Sequence, residues 1–116
     1  MSLKDQYDSV GDFKEGRAVV KLNGKWGHVN KDGNVTTPII YDSVGFFHKG
    51  RARVKLNNKQ GHVDKDGNIT TPIIYDFVFN FEDGRAIVKL NGKQGRVDKD
   101  GKVVDGRHNL IKGILK

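Results

Sequence analysis

The sequence contains no cysteine. Disulfides and thiolate metal sites are therefore excluded, and cysteine usage gives no reading of redox compartment. Proline is nearly as scarce: two residues, both in copies of one phrase, "TTPII". There is a single tryptophan. No apolar run approaches the roughly 18 residues that span a bilayer, and no signal-peptide pattern precedes the first repeated segment. Acidic charge is in deficit, with 14 Asp and Glu against 21 Lys and Arg, for a net charge of +7. That balance favours an acidic partner such as nucleic acid, an anionic glycan or an acidic protein face, without choosing among them. The 116 residues, 35% apolar and 30% charged, suit one soluble domain with a modest core. Fifteen glycines suit many tight turns.

The organising feature is internal repetition. Segments 7–40, 41–74 and 75–108 align without insertion, each opening on Tyr-Asp, and the first two agree at 26 of 34 positions. A fixed period of this kind is the mark of a repeat architecture. Each copy holds three extended stretches. Arg17 to Leu22 alternates, with Ala18, Val20 and Leu22 on one side and Arg17, Val19 and Lys21 on the other, as in a half-buried strand. Asn23-Gly24 follows and predicts a type I′ hairpin. A two-residue loop pairs Val20 with Gly27 and Ala18 with Val29, placing these inward, while Trp26 and His28 face outward with Lys21 and Val19. Gly27, opposite a buried valine, is expected to leave room for a ring such as Phe13 or Tyr41. Lys31-Asp32-Gly33 is read as a three-residue loop that pairs Val29 with Val35 and turns Val35, Thr37 and Ile39 inward. Pro38 and Pro72 mark an edge or bulged strand.

Each copy is too poor in inward apolar side chains to hold its shape alone, so the copies must stack. The sequence thus predicts an all-β fold: tandem three-stranded β-meander repeats stacked into one continuous core, a single repeat domain over 1–116. A closed threefold, β-trefoil-like arrangement is the alternative. The last copy loses the "TTPII" pattern. In the following segment, 109–116, Leu110, Ile111, Ile114 and Leu115 fall on one side of a helix, which reads as a C-terminal cap.

The string "EGRAVVKLNGKWGHVNKDGNVTTPIIYDSV" resembles the WG repeat family of bacterial proteins, also called KWG repeats. Phe13, Gly16, Ala18, Val20, Asn23, Gly24, Lys25, Trp26, Gly27, Asp32, Gly33, Pro38, Tyr41 and Asp42 carry the resemblance, which recurs in register from Tyr7 to about Val104. It implies tandem β repeats that mediate interaction, and it supplies no catalytic residues. The tryptophan survives only at Trp26, with Gln60 and Gln94 in its place later. The position two residues on is His28, His62 and Arg96.

Candidate chemistry is sparse. Asp64 to Tyr75 begins like an EF-hand loop, but Ile69 stands where that loop needs glycine and Tyr75 where it needs glutamate, so the phrase is read as a turn. His28 and His62, one period apart, are two imidazoles that a transition metal would accept. With Arg96 on the third rung they are read as solvated polar surface. No cysteine or paired serine supplies a nucleophile. Asp8, Asp42 and Asp76 are expected to accept backbone hydrogen bonds at turns. No cofactor, metal or catalytic residue is assigned. The strongest signal is a basic ladder: Arg17, Lys21, Arg51, Arg53, Lys55, Arg85 and Lys89, with Trp26, His28, His62 and Arg96 opposite. The expected role is a non-enzymatic binding or scaffold module with a protein partner. The alternative is an anionic polymer held on this face. Open repeat ends also allow a homo-oligomer.

Overall fold

The structure is a computed structural model and describes residues 2–107. A one-turn helix, α1 (Leu3–Gln6), precedes twelve strands. The first four are β1 (Ser9–Lys14), β2 (Arg17–Leu22), β3 (Lys25–Asn30) and β4 (Val35–Tyr41). The next four are β5 (Ser43–Val44), β6 (Ala52–Leu56), β7 (Lys59–Val63) and β8 (Ile69–Tyr75). The last are β9 (Phe77–Val78), β10 (Ala86–Leu90), β11 (Lys93–Val97) and β12 (Val103–Asp105). Each group forms its own antiparallel meander, with strands adjacent in sequence order. The three sheets follow one another in an elongated array of 51 × 27 × 17 Å, and no closed trefoil forms.

The repeat is four-stranded, one strand more than the sequence pattern suggests. The added strand opens each copy and is short and non-alternating, so periodicity does not reveal it. Its signal lies in the turn that follows. Glu15-Gly16, Lys49-Gly50 and Asp83-Gly84 all have positive φ, as a type I′ hairpin requires. His48 and Arg51 exchange both backbone hydrogen bonds across the second of these turns.

The second turn of each copy is as expected. Asn23 and Gly24 have φ of 53° and 82°, and β2 pairs with β3 in the predicted register. Asp8, Asp42 and Asp76 each accept the N–H of the asparagine opening that turn, at 2.8–2.9 Å. The Asp-Gly loop also holds, pairing Val29 with Val35 around Gly33 at φ 85°. Asp64 Oδ1 accepts the N–H groups of Asp66 and Asn68 at 2.9 Å, so this carboxylate shapes its own loop.

Two expectations at the fourth strand are overturned. The space above Gly27 is filled by backbone, not by a ring: an added Cβ would meet the Thr37 and Pro38 carbonyls and the Ile39 side chain. The strand bulges at the proline to press its carbonyls inward, shifting register between Trp26↔Tyr41 and His28↔Thr37. A second register shift, between His28↔Thr37 and Val29↔Val35, breaks the alternation between Val35 and Thr37. Val35 is therefore half exposed, and Thr37 lies buried beside His28 on the opposite face from the valines.

The core is three apolar clusters, not one continuous body. Ala18, Val20 and Val29 are covered by Leu3, Tyr7 and Val10. Tyr41, Phe47, Ala52, Val54 and Val63 form the second cluster, and Tyr75, Val78, Phe81, Ala86, Val88, Leu90 and Val97 the third. Polar layers separate them. In the first, His28 Nδ1 meets Thr37 Oγ1 and its Nε2 meets the Gly45 carbonyl of the next copy, both at 2.8 Å. A carbonyl only accepts, so Nε2 carries the proton and Nδ1 accepts from threonine. His62 repeats the arrangement with Thr71 and Phe79. The cap expected over 109–116 lies outside the described residues.

Further contacts pin the copies together. Arg17 donates to the Lys65 carbonyl and Arg51 to the Lys99 carbonyl, each reaching the Asp-Gly loop one copy ahead. Glu15 accepts the N–H groups of Lys49 and Gly50 at 2.6 and 2.9 Å. Desolvation pushes this carboxyl up, but those two donors and the nearby Lys65 hold it below its ordinary value. The next junction reverses the polarity: Lys49 replaces the acid, and His48 and Lys49 both pair with Glu82. Replacing Glu15 with alanine is expected to lower stability by about 0.5–1 kcal/mol, discounted for exposure. A urea titration checks this, and glutamine at 15 should restore part of the loss.

Candidate functional site

The predicted ladder divides in two. His28 and His62 are 0% and 1% exposed, so they are inter-copy struts and not surface groups. They face away from the valines as expected, but that face is covered by the next copy. Phe47 and Phe81 lie against the imidazoles at 4.6 and 4.7 Å between ring centres. Burial lowers the pKa of both; for His62 it reaches about 4, with Arg53 adding to the effect against a carbonyl that raises it. Arg17 and Arg51 are committed to the loop carbonyls. Arg96 donates to Asp105 at 3.0 Å. Asp105 stands one period after Thr71, so the last sheet replaces the buried His–Thr pair with an exposed Arg–Asp pair.

Lys21, Arg53, Lys55, Arg85, Lys89 and Trp26 remain. Four cation–π pairs gather around this part of the face. Lys21 lies 5.2 Å from the Trp26 ring, Lys14 5.9 Å from Phe46, Arg53 6.0 Å from Phe77 and Lys89 5.6 Å from Phe79. The tryptophan–lysine pair follows from β2–β3 register. Phe46, Phe77 and Phe79 were not among the predicted site residues. Their signal is departure from the repeat: each replaces an aspartate, serine or glycine of the first copy, namely Asp12, Ser9 and Gly11. Phe46 is 61% exposed and Phe79 39%.

Between the first and second copies this face sinks into a recess of about 460 Å³. Trp26, Phe46, Val19 and Val44 supply its apolar wall, with Lys14 and Arg53 among its polar groups. A smaller recess of about 130 Å³ adjoins Arg53, Lys55 and Gln60. Neither is lined by a carboxylate. Among the described residues, no cluster of His, Asp or Glu side chains is gathered to hold a metal ion. No helix among them is long and apolar enough to cross a membrane.

Three tandem four-stranded meanders, joined by a repeated histidine strut, define a β-repeat array. Residues 6–26, 26–59 and 61–93 match the WG containing repeat, and the chain belongs to that family. No curated protein and no solved structure matches it.

Proposed function

We propose that the chain is a non-enzymatic interaction module that binds a protein segment along the basic, aromatic face. The observation carrying this reading is the pairing of Trp26, Phe46, Phe77 and Phe79 each with a cation of the same chain. Exposed apolar rings rimmed by cations suit a peptide with apolar and acidic side chains. The internal use of Arg17, Arg51 and Arg96 points the same way, since it removes three rungs from the ladder that a polyanion would follow. An anionic polymer is the second reading, favoured by the net charge of +7.

Selection of short displayed peptides on the full chain tests the proposal. Peptides with acidic and apolar residues should be enriched. Their affinity should fall by about tenfold or more when Lys14, Lys21 and Lys55 are changed together to glutamate, and only modestly between ~50 and ~200 mM salt. Single-stranded nucleic acid or a sulfated glycan binding more tightly, with a loss near 10³-fold over that salt range, would replace this reading with the polyanion one.

A further inference from the structure

Arg53 breaks the repeat. The first and third copies carry Val19 and Ile87 at the same register, so the sheet does not require a guanidinium there. The side chain is half buried, and no ion pair or hydrogen bond to it is found among the described residues. Its Nε is buried without a partner. Phe77, in the place of Ser9 and Ser43, lies 6.0 Å from the guanidinium carbon and packs edge-on to Phe79 at 4.8 Å. The Nε thus gives up hydration without a partner, and the guanidinium gains only a ring face. A charge-assisted hydrogen bond would compensate. Glu82 and Asp83 stand in the wall of a further recess of about 600 Å³ that Arg53 also lines, but Glu82 pairs with His48 and Lys49 and neither acid is bonded to Arg53.

The same side chain lines both carboxylate-free recesses. One brings Lys55 and Gln60 beside it, and the other brings the apolar wall of Trp26, Val19, Val44 and Phe46. A ligand reaching Arg53 through the Trp26–Phe46 recess would therefore present an anion with an apolar group close behind. We infer that Arg53 is the anchor for a single aspartate or glutamate side chain of a partner peptide, whose neighbouring apolar residue fills the Trp26–Phe46 recess. This rests on the peptide-binding reading above and names its specificity-determining residue. The planar fork of arginine holds a carboxylate through two parallel N–H···O bonds, and phosphate is the other oxyanion it fits. The apolar wall favours the peptide.

The test uses the full chain, with side-chain NMR of the arginine Nε–H signals and titration calorimetry. The probes are a capped peptide with one glutamate between leucines, its glutamine counterpart, and a short single-stranded DNA. The glutamate peptide should move the Arg53 Nε–H signal and bind about tenfold or more tightly than the glutamine peptide. Arg53→Val installs the side chain of the first copy and should fold, as an unchanged amide spectrum away from the site would show. It should bring the two peptides to equal affinity, while Lys31→Ala at an exposed turn leaves them distinct. Equal affinities in the unaltered chain would overturn the inference. So would glutamate preference that survives Arg53→Val, and if that preference is lost on charge reversal at Lys14 and Lys21 the binding face stands without this anchor. Displacement of the same signal by DNA but not by the peptide would overturn the inference and the peptide reading together.

Discussion

Changing Gly67 to alanine is expected to destabilise the protein by roughly 3–5 kcal/mol, combining left-handed strain with a backbone clash. Gly67 has φ 86°, and a Cβ on it would fall on the Thr36 carbonyl oxygen of the preceding copy. That oxygen belongs to the bulged fourth strand and has no flexible end to move aside. Gly101 stands in the same relation to Thr70, and its substitution should cost a similar amount. Two glycines serve as internal controls. Gly50 has φ 83° but nothing within 4 Å of an added Cβ, and Gly33 meets only the Leu3 side chain at 3.5 Å. Alanine at either should cost about 1 kcal/mol, the conformational term alone. Urea unfolding of the four variants separates the two effects. Equal losses at all four would show that the close approach of Gly67 and Gly101 to the preceding copy adds no cost.

The second large effect is at His62. Alanine there removes a ring packed on Phe81 and strands the Thr71 hydroxyl and the Phe79 carbonyl, for an expected loss of roughly 3–4 kcal/mol. The same residue sets a pH dependence. The unfolded chain takes up a proton at the ordinary value near 6.5, but burial delays this to about 4 in the folded chain. Stability is therefore full above pH 6.5 and falls as the pH drops to about 4, by roughly 3 kcal/mol. His28, lowered for the same reason, adds in the same direction. Unfolding curves at pH 7, 5.5 and 4 should show the decline, and His62→Ala should make it shallower. A flat profile in the unaltered chain would mean that the histidines are not buried neutral.

The turns and the β2–β3 register were legible because Asn-Gly and Asp-Gly fix dihedral angles locally, and the register then follows by counting. The opening strand of each copy was hidden because its pairing is announced by Glu15-Gly16 and its equivalents, where a charged residue adopts the left-handed conformation usually left to asparagine or glycine. The burial of His28 and His62 was illegible for a different reason. Alternation assigns a residue to a face but says nothing of whether a neighbouring sheet covers that face. Thr37 and Thr71, recurring nine residues after each histidine, were the available clue, since a buried imidazole needs a partner for its second nitrogen. The exposed phenylalanines were written as exceptions to the repeat, which an eye trained on its regularities passes over.

The junctions between copies also carry an address. Where the first copy meets the second, an acid at Glu15 reaches forward to main-chain amides. Where the second meets the third, bases at His48 and Lys49 reach forward to an acid at Glu82. The units are consequently not interchangeable bricks. A duplicated middle unit would set His48 and Lys49 against another His48, with no acid where the natural neighbour offers Glu82. Shuffled order would thus lose these polar contacts at the seams, so the order of the parts is written into the junctions.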